Sequence, residues 1–279
     1  MTGTAQLLRG VRVVSLAINA PGPVCAARLR DLGAFVTKVE PPEGDPMQHL
    51  GAGWYEDLTA GMEILTLNLK DASERVQLDA LLDEADLLLT AQRPAALARL
   101  GLGWADLHAR FPRLCHVAIV GYPPPHENLP GHDLNYQAKY GMLTPPHMPR
   151  VLVADMAGAE RAATEAIALM YAREQGQEAG QRLVALSEAA EAFAVSVRID
   201  VTTPGGVLGG GLPNYAIYAA KDGYLACGAL EMHFFRRLVD AFGDAATTRE
   251  GLEGVFAART AAEWEAWGVE HDVPLMAIH

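Results

Sequence analysis

The sequence predicts an α/β fold: a Rossmann-like open parallel sheet covered by helices, followed by a smaller α+β lobe. Two observations carry that prediction. From Val11 to about Gly121 short β-branched runs alternate with helical runs, which is how a parallel sheet with helical crossovers reads in sequence. Beyond about Asp200 the pattern changes to a glycine-rich stretch, a hairpin and short helices. A chain of 279 residues, half of them hydrophobic, can bury one large core and a second, smaller one. The expected division is residues 1–200 and 201–279.

In chain order, strands are expected over residues 11–16, 35–39, 64–67, 86–89 and 115–120, each short and bounded by turn residues or charges. Helical segments starting near Pro23, Ala72 and Trp104 separate them. Residues 123–149 are rich in proline, histidine and glycine, and 156–173 reads as a long helix dense in alanine. A helix over about 187–199 leads into the glycines of 205–211 and a hairpin that turns at Lys221-Asp222-Gly223. Helical patterns then start near Met232, Arg249 and Thr260. In sheets of this kind ligands sit beyond the carboxyl ends of the strands, so the loops after Leu16, Val39, Leu89 and Val120 are the expected binding surface.

The formal net charge of −12 argues against general affinity for nucleic acid or an anionic membrane, which requires clustered cations. Cys25, Cys115 and Cys227 are few, odd in number and far apart, fitting reduced thiols in a cytoplasmic protein; no pair has metal-ligand spacing. No leader pattern and no run of about 18 apolar residues is present, so neither export nor membrane insertion is expected.

Three positions could carry proton or acyl chemistry. His132 lies in a loop, Gly131-His132-Asp133, where an imidazole could exchange protons at neutral pH; a surface histidine is the plain alternative, as for His126 and His147. Asp155 precedes the long helix, near free backbone donors and a positive dipole end, and an N-cap without chemical duty explains it equally well. Glu231 closes an apolar strand and could orient an imidazole or simply begin a helix. The glycines of 205–211 could cradle phosphate or form a flap, without the strand and helix context of a nucleotide loop. His126-Glu127 does not extend to H-E-x-x-H, because Pro130 stands where the second histidine belongs, and no metal is expected.

Ordered motifs across most of the chain resemble the family III coenzyme A transferases, a group that includes α-methylacyl-CoA racemase. They are L-x-G-V-R-V-V-S-L from Leu8, G-P-V-C-A-A-R-L-R-D-L-G-A from Gly22, K-V-E-P-P-E-G-D from Lys38 and R-P-A-A-L-A-R-L-G-L-G from Arg93. G-H-D-L-N-Y from Gly131, V-L-V-A-D-M-A-G from Val151, A-G-Q-R-L-V from Ala179 and D-G-Y-L-A-C-G-A-L-E from Asp222 continue the series. The resemblance implies the family III CoA-transferase fold and chemistry on acyl-CoA thioesters, with no cofactor beyond the coenzyme A of the substrate. It implies that Asp155 is a nucleophile in a transferase or a proton-transfer base in a racemase. His132, where transferases carry an aromatic residue, and Glu231 match the racemase pattern. The implied mechanism has His132 and Asp155 as acid/bases on opposite faces of the α-carbon, Asp133 and Glu231 setting protonation and orientation, and backbone amides near Asp155 stabilising an enolate. Arg93 is implied at the adenine or phosphate end of coenzyme A, with the loops Ala17 to Pro23 and Val39 to Asp45, among them Ala17, Pro21, Val39 and Glu40, along its channel. Met142, Met148 and Met156 are candidates for an acyl surface. A homodimer, or a complex with a second subunit, is implied as the assembly.

The sequence departs from the family in places. Where a basic N-R-x-K-R stretch is usual, residues 60–63 read Ala-Gly-Met-Glu, removing cations from a polyanion site; 140–150 is short, and the chain ends near the family's H-D-V-P segment. The leading expectation is a 2-methylacyl-CoA racemase or epimerase. The alternatives are a transferase moving coenzyme A between carboxylic acids and a CoA-binding protein that has kept the motifs without turnover.

Overall fold

The structure, a computed structural model, describes residues 6–278. It comprises two compact units that divide after Ala194, six residues before the division at residue 200 expected from sequence. The earlier point has a local cause: the amides of Val201 and Thr202 donate to Ser196, and that of Leu208 to Val201, so residues 195–200 fold with the glycine-rich segment.

The first unit is built on β1 (Arg12–Ser15), β2 (Phe35–Glu40), β3 (Glu63–Thr66), β4 (Leu87–Thr90), β5 (Cys115–Val120) and β6 (Gln181–Ala185). These form one parallel sheet in the order β3-β2-β1-β4-β5-β6, with Val13 beside Val36 on one side and beside Leu87 on the other. The helices are α1 (Pro21–Asp31), α2 (Met47–Leu50), α3 (Ala52–Thr59), α4 (Ala72–Glu84), α5 (Pro94–Arg99), α6 (Trp104–Arg110), α7 (Asp133–Lys139), α8 (Val153–Glu174) and α9 (Leu186–Phe193).

Strand alternation sorts the core into two layers. Val13, Val36, Leu87, Leu89, Val117 and Ile119 meet α1 and α8, whose Cys25, Leu29, Ala159, Ala162 and Ala166 are buried. Val14, Val39 and Leu88 face the opposite way, against Leu78 and Leu82 of α4, Leu97 of α5 and Leu107 of α6. Each fully buried leucine here contributes about 1.5–3 kcal/mol. The chain runs outward in both directions from the gap between β1 and β4, which makes that gap the switch point where ligands bind in open α/β sheets.

The second unit contains α10 (Val195–Arg198), β7 (Tyr215–Ala219), β8 (Tyr224–Gly228), α11 (Met232–Phe242), α12 (Arg249–Phe256), α13 (Ala261–His271) and β9 (Leu275–Ile278). The expected hairpin forms, and β9 adds to it antiparallel, pairing Tyr224 with Ile278. Tyr218, Leu225, Leu238, Leu252, Phe256 and Trp264 make its core. The glycine-rich segment is a compact turn packed on itself: the amides of Gly205, Gly206, Gly209 and Gly211 all donate to carbonyls within it. A Cβ on Gly209 would lie 1.8 Å from the Thr203 carbonyl oxygen, so glycine is needed there for close backbone approach.

One buried group ties β4, β5 and β6 together. His116 of β5 is hydrogen bonded through Nε2 to Thr90 Oγ1 at 3.0 Å and through Nδ1 to Gln181 Nε2 at 3.1 Å, with Trp104 stacked beside it. The Gln181 Nε2 nitrogen donates to Nδ1, an arrangement that pairs with a neutral ring carrying its proton on Nε2. Burial pushes the His116 pKa down to about 4 from 6.5, so an unfolded chain takes up the proton first. This group's contribution is complete above pH 6.5 and is lost as pH falls toward 4, worth about 3 kcal/mol in all. Denaturant unfolding of the wild type and His116→Gln across pH 4 to 7 is expected to show this fraction of the acid sensitivity only in the wild type.

Candidate active site

A cavity of about 260 Å³ opens at the switch point. Its wall takes Ile18, Asn19 and Pro21 from after β1, Ala91, Gln92 and Arg93 from after β4, Val120 and Gly121 from the end of β5, and Leu186 from after β6. His132, Tyr136, Glu127 and Asp155 complete its chemistry-bearing face. A second cavity of about 400 Å³ shares Ile18 and Gln92 with the first, and runs past Val39, Glu40, Pro41, Pro42 and Glu43 to Asn68 and Lys70.

Asp155 is not the cap of its helix. It is the third residue of α8, and the cap's work is done by Asp133, whose Oδ1 accepts from Ala154 N at 2.7 Å and Asp155 N at 3.2 Å. The other Asp133 oxygen accepts from Gln137 Nε2, which also donates to the Val151 carbonyl at 2.9 Å. At 3 % exposure, Asp133 is thus a buried carboxylate held by the first amides of α8 and by the Gln137 side chain of α7. Burial, and then the charge of Asp133, push the Asp155 carboxyl up to about 7 from 3.8. An acid poised there can take or give a proton at neutral pH. Because the amides of Ala154 and Asp155 are engaged by Asp133, those two are not available to an enolate oxygen.

His132 stands at the N-cap position of α7 and is exposed on the cavity side, its amide donating to Asn135 Oδ1 at 3.0 Å. Tyr136, one turn on, is wholly buried, and burial raises its phenol, which stays protonated. It fits because residues 121 and 131 are glycine: a Cβ would lie 2.4 Å from the phenol oxygen at Gly121 and 2.8 Å at Gly131.

A buried ion cluster fixes the loops. Lys38, fully buried, contacts Glu40 and also Asp45 Oδ2 at 2.9 Å, while Asp45 Oδ1 accepts from Asn19 N at 3.1 Å. Asn19 has φ 68°, a left-handed conformation unusual outside glycine.

Of the residues expected from sequence, His132, Asp155, Arg93 and Pro21 line the first cavity, and Val39 and Glu40 the second. The Glu40 oxygens are committed within the protein, to Lys38, Tyr55 and Gln48. Ala17 is buried in the core and lines neither cavity, and Met142, Met148 and Met156 are absent from both linings. Glu231 belongs to the second unit, exposed at the N-cap position of α11. Asn19 falls within the loop 17–23 expected from sequence, whereas Gln92, Glu127, Tyr136 and Lys70 were missed as individual residues; the N-L-K stretch ending at Lys70 held a usable signal, since it opens the loop after β3. Neither Arg93 nor Lys70 is ion paired among the described residues. No group of three or more His, Cys, Asp or Glu side chains among the described residues is placed to hold a metal.

Residues 8–279 match the family described as CoA-transferase family III. The chain belongs to that family. Among family relatives, it is 30 % identical to α-methylacyl-CoA racemase of Mus musculus over 93 % of this chain and 74 % of that one. It is 29 % identical to succinyl-CoA–D-citramalate CoA-transferase of Chloroflexus aurantiacus, over 85 % of this chain and 65 % of that one. The crystal structure of a hypothetical protein from Mycobacterium tuberculosis superposes with TM-score 0.83 at 25 % identity, covering 97 % of this chain and 84 % of that one. The family III fold is thereby shown for this chain.

Two outcomes follow from the Asp133–Asp155 pair. In Asp133→Asn, a carboxyl-carbon NMR titration is expected to show Asp155 titrating lower than its wild-type value near 7, since one of two raising influences is gone. Asp155→Asn is expected to stabilise the fold by on the order of 2 kcal/mol at pH 8, an advantage that fades as pH falls from about 7 toward 3.8, where folded and unfolded wild type are both protonated. Chemical denaturation at both ends of that range measures it.

Proposed function

We propose that this protein is an acyl-CoA enzyme, and specifically a 2-methylacyl-CoA racemase or epimerase. The observation that carries the reading is the pairing of His132 with Asp155 in one cavity at the switch point, Asp155 being pushed up to about 7. In this reading one of the two removes the α-proton, leaving an enolate, and the other returns a proton to the opposite face. Neither step consumes a co-reactant. The N-terminal dipole of α8 favours the developing negative charge, and Asp133 holds Asp155 in place while keeping its carboxyl protonatable.

Coenzyme A would extend from this cavity into the second one, where Lys70 supplies a cation near the Pro41-Pro42 loop, with Arg93 at the junction side. A transferase is the second reading. It is favoured by the likeness to succinyl-CoA–D-citramalate and cinnamoyl-CoA:phenyllactate CoA-transferases, and Asp155 would then be the nucleophile. A cytoplasmic homodimer goes with either reading.

Incubation with a 2-methylacyl-CoA in deuterium oxide, followed by mass spectrometry and chiral analysis, separates these readings. Label at the α-carbon with loss of chirality is expected. Asp155→Asn is expected to lower the rate at least a thousandfold and His132→Ala at least a hundredfold. Transfer of labelled coenzyme A to an added carboxylate, with no deuterium gained, would sink the racemase reading in favour of the transferase. Coenzyme A is expected to raise the melting temperature, as any ligand specific to the folded state must.

A further inference from the structure

We propose that Gln137 is a positioning residue for proton transfer: through Asp133 and the Val151 carbonyl it holds the backbone that carries Asp155, and so the placement of that carboxyl at the α-carbon. The inference rests on the racemase reading and deepens it. The Asp155 carboxylate accepts no hydrogen bond from the protein among the described residues, so its place in the cavity is set by the backbone beneath it. That backbone is gripped from α7 at two points. Asp133 accepts from Ala154 N at 2.7 Å and Asp155 N at 3.2 Å, and Gln137 Nε2 donates to the Val151 carbonyl at 2.9 Å. Gln137 also donates to the other Asp133 oxygen, which closes the ring: one side chain, 2 % exposed, anchors both grips.

Position and residue type both fit that duty. Gln137 lies four residues after Asp133, one turn along the same face of α7, so the two side chains meet. Its amide nitrogen carries two hydrogens, one for a carboxylate and one for a carbonyl. A glutamate there would repel Asp133; asparagine, a methylene shorter, would not span both acceptors; an alkyl side chain would leave a buried carboxylate oxygen and a carbonyl without their donor. His132 stands at the N-cap position of the same short helix, so α7 carries one of the two acid/bases directly and holds the other through Asp133 and Gln137. Inversion by two bases depends on how they are placed about one carbon, and a misplacement of about 1 Å costs about a hundredfold in rate.

Gln137→Met keeps the length of the side chain and removes both hydrogens. With each enantiomer of a 2-methylacyl-CoA in deuterium oxide, kcat is expected to fall about tenfold or more, while KM and the affinity for coenzyme A by isothermal titration stay within about twofold. For the enantiomer whose α-proton His132 removes, the recovered substrate is expected to gain deuterium faster, relative to inversion, than in the wild type. The enolate still forms there, but with Asp155 displaced the solvent-exchanged imidazolium returns deuterium to the face it came from. Gln137→His, which keeps one N–H donor, is expected to fall between the two. A kcat within about twofold of wild type, equal losses of kcat and coenzyme A affinity, or an unchanged ratio of exchange to inversion overturns the proposal and leaves the racemase reading standing. If Gln137→Met does not fold, Gln137→His decides by the same criteria. A wild type that neither exchanges nor inverts sinks the racemase reading itself, and the positioning role falls with it.

Discussion

The buried carboxylate of Asp133 is the contact on which the candidate site depends. It reaches across from the start of α7 to the start of α8 and supplies the acceptor that the N-terminus of α8 lacks in its own sequence. An N-terminal turn leaves free amides that must be satisfied, and here a residue 21 positions away satisfies two of them. The same charge lies against Asp155 and helps to raise its pKa. Helix capping, placement of Asp155 and part of the rise in its pKa, whose larger cause is burial, therefore share one interaction.

That economy has a cost in stability. A carboxyl driven up from its ordinary value opposes folding whenever it is ionised, and the fold carries this burden at the cavity where the chain brings its titratable groups together. The surrounding sheet, with Leu87, Leu88 and Leu89 wholly buried in β4, supplies the apolar burial that offsets it.

Much of the first unit was legible in the sequence because its strands are runs of β-branched or leucine residues buried on both faces, as β4 and β5 show. β6 and β9 were not: Gln-Arg-Leu-Val-Ala begins polar at a sheet edge and runs directly into α9, and β9 is four residues long with every second side chain exposed. The helix expected over 187–199 is in fact α9 and α10, broken at Ala194. At the site, motif order located His132 and Asp155, which share a cavity. Spacing could not show that Asp133 rather than Asp155 meets the free amides of α8, because that contact is made in space, between helices whose approach no local pattern encodes. Nor could it reveal Glu127, whose place in the wall depends on the path of the proline-rich segment.

The Lys38 cluster bears on how such a cavity can change over time. Asp45 grips the amide of Asn19, whose backbone is held in a conformation that it would not favour by itself, so the loop after β1 is set by charges lying beneath it and not by the groups it presents to the cavity. Lys38 and Asp45, which fix this loop, are not themselves among the residues that line the first cavity. Substitutions at the wall can exchange one acyl preference, or one use of the aspartate, for another without the loops having to be reinvented, and a single scaffold can host more than one thioester chemistry.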